Sequence, residues 1–226
     1  MDGPFARAAQ MLLTGDREVY FITWTSLRFS LSAVFIAALF GIPAGAALGL
    51  WQFKGKRAVA AALSSLMALP TVLVGLIIYS LLSSAGPLGG LGVLFTPSAV
   101  IVGQAILALP IVASLTAAGL TGLDPLFAEV LTTLGASRRD IVWMTVSEAR
   151  GVIVSAVLTA FGRVVGEVGA AMMLGGNIRW YTRTLTTAIS LETSKGEFEL
   201  GLALGVILMV TAIGVNVLLH WTVKHD

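Results

Sequence analysis

Apolar residues run through this chain in long unbroken stretches rather than in alternation. No charged residue interrupts positions 58–123, and Leu200 to Val223 is a second uncharged run of 24 residues. A bilayer core takes about 20 apolar residues per helix, so the first run holds at least two crossings. Five segments fit the pattern, at about 27–50, 59–82, 97–120, 151–174 and 200–222. The Gly/Pro-rich stretch Ser83 to Gly92 cannot continue a helix and reads as a hairpin between the second and third. Period-two alternation is absent, which excludes a β-barrel. The pattern predicts an all-α polytopic membrane protein with five transmembrane helices in one domain, residues 1–226.

Composition sharpens this. Charged residues make up 12% of the chain, about half of what soluble domains carry. The basic residues are scattered and form no nucleic-acid footprint. The chain has no cysteine, so it holds no disulfide, thiolate metal site or cysteine nucleophile. Met1 to Tyr20 lacks a long apolar core and is not expected to be a cleaved signal peptide. The short loop after the first segment carries Lys54, Lys56 and Arg57, the hairpin after the second carries none, and the loop after the third carries Arg138 and Arg139. Basic residues favour the cytoplasmic side, so a plasma-membrane protein with its N-terminus outside and its C-terminus inside is expected.

Pro43, Pro70 and Pro110 fall inside the predicted spans, where each is expected to free a carbonyl and bend the helix. Gly41, Gly45 and Gly49 repeat every four residues, as do Gly201 and Gly205. Such stripes allow close helix contact, within one chain or across a dimer.

Residues 124–148 form the predicted cytoplasmic loop, and they are patterned. Asp124-Pro125 reads as an N-cap followed by proline at the first helical position. Helix formers then run to Leu134, and Gly135 supplies a left-handed stop. Ser137 begins a second helix, with Asp140 three residues on completing a capping box. The first helix is about 15 Å long, too short to cross a membrane but long enough to present a face. An interfacial helix resting on lipid would carry Lys or Arg on its polar face, and this one has none before Arg138. Docking to a protein partner is the favoured reading.

The segment Glu129-Val130-Leu131-Thr132-Thr133-Leu134-Gly135-Ala136-Ser137 resembles the Glu-Ala-Ala loop of ABC importer permeases. Glu129 and Gly135 keep that loop's six-residue spacing, and Leu134 to Ser137 match its continuation. Val130 and Leu131 replace the alanines, and Thr145 to Glu148 do not match the trailing Ile-x-Leu-Pro. The resemblance implies a type I ABC importer permease fold with a short cytoplasmic coupling helix, and Asp124, Glu129, Gly135, Ala136 and Ser137 as the ATPase-coupling loop.

Arg163 and Glu167 lie in the middle of the fourth predicted span. Each alone costs about 2.5–3.5 kcal/mol at a helix centre on insertion scales, and their four-residue spacing lets them pair. Gly162, Gly166 and Gly169 suggest a small-residue stripe beside them. The pair fixes helix register, or it gates a path for an anion. From Arg163 onward the chain is similar to molybdate and tungstate permeases. The matching residues are Gly162-Arg163, Gly166-Glu167, Gly169-Ala170 and Gly176-Asn177-Ile178. Arg183 to Ile189 and Leu191 to Phe198 look more like the tungstate branch, as does the absence of a sixth, N-terminal span. The resemblance covers about residues 16–222 and implies Arg163, Glu167 and Asn177 at the translocation path or gate. It implies a second copy of the chain, a separate cytoplasmic ABC ATPase dimer that binds the ATP, and an extracytoplasmic oxyanion-binding protein. Molybdate or a sulfate-like oxyanion is the alternative cargo, and a self-sufficient secondary carrier the alternative mechanism.

The predicted outer loop, 175–199, has Arg179 and Arg183 beside Trp180 and Tyr181. They read as interfacial anchors, or as contacts for an acidic partner or an oxyanion. No Gly-x-x-x-x-Gly-Lys-Ser/Thr phosphate loop is present, and the only histidines, His220 and His225, sit at the C-terminal edge. A transporter subunit without its own ATPase, cofactor or metal is expected.

Overall fold

The computed structural model describes residues 4–224; His225, named above, lies outside them. Among the described residues all regular structure is helical. In chain order the helices are α1 (Pro4–Thr14), α2 (Arg17–Leu50), α3 (Lys56–Ala68), α4 (Thr71–Leu82), α5 (Pro97–Thr121), α6 (Pro125–Thr133), α7 (Arg138–Glu148), α8 (Arg150–Val165), α9 (Gly169–Gly175), α10 (Leu185–Lys195) and α11 (Phe198–Lys224). A 3₁₀ turn at Gly89–Leu91 lies in the expected hairpin. Three helices, α2, α5 and α11, are long and apolar enough to cross a membrane alone, and two bent pairs bring the total to as many as five.

The bundle is organised on the pairing of α2 with α5. A Cβ added at Gly45 would lie 2.5 Å from the Ala113 carbonyl oxygen and 2.7 Å from the Thr116 Cβ. A Cβ at Gly41 would lie 3.0 Å from Val112 and one at Gly49 2.8 Å from Leu120, so the whole stripe is spent on one contact within the chain. Beside it Val34, Ala37, Ala108, Val112, Ala160, Phe161, Val164 and Val215 draw α8 and α11 into one core. Gly45→Ala drives a methyl into backbone and is expected to cost about 1–3 kcal/mol. A lowered melting temperature of the detergent-purified protein checks this, and an unchanged melt contradicts the packing. The second stripe behaves differently: Gly201 meets only Thr193, and Gly205 has nothing within 4 Å.

The helices depart from the expected pattern in several places. The first predicted span begins earlier than residue 27: α2 has 34 residues, about 51 Å, and starts where Asp16 accepts from the amides of Glu18 and Val19. The predicted span 59–82 is two helices, α3 and α4, meeting at 97°. Leu69 is extended (φ −64°, ψ 139°), as a residue before proline prefers. Pro43 and Pro110, in contrast, are carried inside continuous helices. Pro110 is buried and Pro43 is exposed, but both belong to the two helices that pack most extensively on each other, which holds those helices in line, whereas α3 buries none of its residues. The predicted span 151–174 is also interrupted, with α8 ending at Val165 and α9 starting at Gly169. The supposed stripe of Gly162, Gly166 and Gly169 therefore does not share a face: Gly169 abuts Val72 while Gly166 meets no neighbouring helix. The predicted outer loop holds a whole helix, α10, started by a Thr184–Thr187 capping box and stopped by Gly196 at φ 81°.

Candidate coupling and translocation site

The expected loop 124–148 is two short helices held by local hydrogen bonds. Asp124 caps α6 by accepting from the Leu126 amide at 2.9 Å. At the other end the Ala136 amide donates to Leu131 and the Gly135 amide to Thr132, both at 3.0 Å, with Gly135 at φ 79°. This is a Schellman closure, which needs a residue comfortable at positive φ. The Ser137 backbone donates to Asp140 at 3.1 Å, and the Asp140 backbone donates back to the Ser137 hydroxyl at 3.3 Å. The Ser137 hydroxyl and then its backbone N–H hold the Asp140 carboxyl below its ordinary 3.8. A depressed folded value stabilises above that pH and is lost only as pH falls through the folded one, so the cap is insensitive to pH near neutrality.

The outward face of α6 is apolar. Leu126, Val130 and Leu134 are 60%, 54% and 77% exposed at four-residue intervals, and Glu129 is exposed beside them. Leu131 points the other way and is buried. Between α6, α7, the end of α5 and Trp51 lies a hollow of about 720 Å³ lined by Asp124, Phe127 and Ile141 among others. Asp124, Glu129, Gly135, Ala136 and Ser137 lie together on α6, its closing turn and the cap of α7.

Arg163 and Glu167 meet as their spacing requires, Arg163 Nη1 donating to Glu167 Oε2 at 3.1 Å. The pairing survives the helix break because the Glu167 amide still reaches the Val164 carbonyl. The break is satisfied almost completely. Glu167 Oε1 accepts from the Ala170 amide at 3.1 Å, so this carboxylate also caps α9. Thr186 Oγ1 donates to the Glu167 carbonyl at 2.6 Å, and Gln104 Nε2 donates to the Val164 carbonyl at 3.3 Å. Glu167 is 3% exposed, whereas the Arg163 side chain is 47% exposed. The anion is locked into the fold and the cation is presented. Gln104 keeps a buried Oε1 without a partner, close to the same break. Gly75 of α4 approaches the Ala170 backbone so closely that a Cβ would lie 2.8 Å from its Cα, which seats α9 against the bent α3–α4 pair.

Asn177 stands apart from that pair in its bonding. It adopts φ 51°, and its Nδ2 donates to the Thr187 carbonyl at 3.1 Å, joining the α9 turn to α10. Arg179 and Arg183 are engaged within the chain. Arg179 forks onto Glu18 with bonds of 2.8 and 2.5 Å. Arg183 lies 3.4 Å from Glu18 and 3.5 Å from Glu192, and Lys195 also reaches Glu192. Bonding to Glu18 raises the Arg179 pKa. Trp180 packs edge-on against Phe21 at 5.1 Å. Glu18 and Gln104 are the participants that sequence reasoning missed. Nothing local marks Glu18, 161 residues from Arg179. Gln104 had a signal, as an amide inside an otherwise apolar helix.

Among the described residues the chain is a helical bundle with a buried, charge-stabilised helix break and a capped, exposed pair of short helices. Its architecture is that of the type I ABC importer permeases. The chain belongs to the family described as the binding-protein-dependent transport system inner membrane component, whose profile matches residues 41–225. It is 41% identical to a probable anion ABC transporter permease protein of Haloferax volcanii over 92% of this chain and 93% of that one. It is 42% identical to the tungstate uptake system permease protein of Campylobacter jejuni, over 96% and 90% of the two chains. Among solved structures, the MetNI methionine ABC transporter in an inward-facing conformation aligns with TM-score 0.72 at 18% identity, covering 100% of this chain and 99% of that one. An amino acid ABC transporter crystallised with histidines aligns with TM-score 0.72 at 19% identity, covering 96% and 98%.

Proposed function

We propose that this chain is the membrane subunit of an ATP-driven importer for a tetrahedral oxyanion, tungstate above all. Two copies form the path, each acting as a single permease unit. A separate ABC ATPase dimer binds the ATP, and an extracytoplasmic binding protein delivers the anion. The similarity to the tungstate permease along nearly the whole chain supports the cargo. Selectivity lies largely in the binding protein, so this chain needs a passable route more than a tight site.

The α6–α7 projection faces the cytoplasm in this reading, with the N-terminus outside and the C-terminus inside. The observation that carries the coupling role is the exposed ridge of Leu126, Val130 and Leu134 on a helix fixed at both ends by caps. An apolar ridge in water needs a partner, and a rigidly closed helix transmits a push where a loose loop would absorb it. ATP-driven closure of the ATPase moves α6 as a lever and biases the bundle between inward- and outward-open states. Arg163 and Glu167 gate the path and Asn177 holds its outer end. The half-exposed Arg163 meets the anion in passing, and its bond to Glu167 keeps it from becoming a trap.

The test is elemental. Cells lacking this chain are expected to lose high-affinity tungsten accumulation, measured by mass spectrometry at nanomolar tungstate, and to regain it with the gene restored. Unchanged tungsten with lost molybdenum would move the cargo to molybdate. Uptake by the purified chain in vesicles without ATPase would make it a secondary carrier.

A further inference from the structure

A second hollow, of about 530 Å³, adjoins the first across Trp51, Arg138 and Val142 and is lined by these three with Arg139, Trp143 and Val146. None of these is acidic. Neither arginine forms an ion pair among the described residues, a condition they share with Arg17, Arg28, Arg57 and Arg150, whereas Arg7, Arg163, Arg179 and Arg183 are paired. Their position is also unfavourable for the helix that carries them. Arg138 and Arg139 are the first two residues of α7, and Glu148 is the last. A helix N-terminus disfavours cations and a C-terminus disfavours anions; Asp140, the acid of the same first turn, is held in the Ser137 capping box and pairs with neither arginine among the described residues, so an outside anion would favour this end of α7. Trp51 directly follows the membrane-crossing α2, and Trp143 is 74% exposed. Indole rings in such places settle at the depth of lipid headgroups.

We infer that this hollow binds an anionic phospholipid of the cytoplasmic leaflet. Its phosphate lies between the Arg138 and Arg139 guanidiniums, and the start of its acyl chains lies on Trp51, Val142, Trp143 and Val146. The inference rests on the reading of the α6–α7 end as cytoplasmic. Charge complementarity selects the occupant: guanidiniums pair in forked geometry with phosphate, and the apolar floor suits a ligand that is half hydrocarbon. A soluble anion would leave that floor wet. Because α7 is the helix against which α6 packs, the lipid steadies the base of the coupling lever.

The experiment uses the whole complex, permease with its ATPase, in nanodiscs containing photoactivatable phosphatidylglycerol or phosphatidylcholine. The phosphatidylglycerol probe is expected to label the peptides around Trp51 and 138–148 in preference to the choline lipid. Each Arg near an anionic surface is worth about fivefold in affinity, so R138Q/R139Q is expected to cut that labelling by about 25-fold while the ATPase still co-purifies. Trp143→Ala is expected to reduce it for the acyl-chain-tagged probe. Equal labelling by both lipids, or labelling indifferent to R138Q/R139Q, overturns the site. So does blockade by millimolar inorganic phosphate, which would make it a soluble-anion pocket, or labelling that appears only after the ATPase is stripped away, which would give the hollow to the ATPase. A cysteine at Thr133, probed with an impermeant maleimide, tests the side of the membrane separately. Labelling from outside overturns the orientation itself, whereas a correctly oriented loop with indifferent lipid labelling overturns the lipid site alone.

Discussion

Gly135→Pro is expected to abolish ATP-driven uptake while leaving the chain folded in the membrane. Gly135 stands at φ 79° and donates its amide to the Thr132 carbonyl. Proline holds φ near −65° and has no amide hydrogen, a change worth about 3 kcal/mol or more where the backbone needs both. It also disfavours the near-helical Leu134 that precedes it (φ −78°, ψ 3°). The closure of α6 opens and its ridge loses its aim. If even half of that cost falls on docking, coupling drops by more than about tenfold. The damage stays local because α6 packs mainly on α7. Glu129→Lys leaves the helix intact and reverses a charge on its exposed face, and is expected to uncouple hydrolysis from uptake as well. Uptake and ATP turnover measured together in proteoliposomes check both variants. Normal uptake in both would remove the coupling role from this loop.

Arg163→Ala has the second large expected effect. It leaves the Glu167 carboxylate 3% exposed, with the Ala170 amide as its remaining partner. Removing one member of a buried ion pair costs about 3–5 kcal/mol, and the half-exposure of Arg163 reduces this to about 1–3 kcal/mol. The complex is therefore expected to assemble with a lowered melting temperature and to transport at background. The discriminating variant is Arg163→Ala combined with Glu167→Gln. The glutamine amide oxygen can still accept from Ala170, and no buried charge is left unpaired, so stability is expected to return. Transport is not expected to return, because the path has lost its cation. Recovery of both would reduce the pair to a register device, and failure of the single variant to assemble would point the same way.

The parts of this chain that were legible in the sequence are those written locally. Asp124, Gly135 and Ser137 announced the ends of α6 and α7, because caps are decided by a residue and the three or four after it. Gly41, Gly45 and Gly49 announced a close contact, although nothing in the stripe named α5 as its partner. The helix breaks were hidden for a physical reason. Pro43, Pro70 and Pro110 look alike in sequence, and only the packing of α2 on α5 separates the two that are carried through from the one that breaks a span. The interruption at Gly166 to Val168 depends on side chains far away in sequence, Gln104 and Thr186, taking up the bonds it frees. Glu18 was beyond reach for the same reason. The Thr184–Thr187 box and Gly196 did mark α10, and the pull of a loop reading between two spans obscured them.

Coupling requires α6 to rest in the ATPase. The chain has no cysteine, so a single Val130→Cys variant carries one thiol to which a short photo-crosslinker can be attached in the assembled, nucleotide-free complex. The predicted result is a covalent adduct with the ATPase subunit, lost when the ATPase is omitted and changed in yield by ATP. Adducts with lipid alone, or labelling of that thiol by an impermeant reagent added to the outside of intact cells, would contradict it.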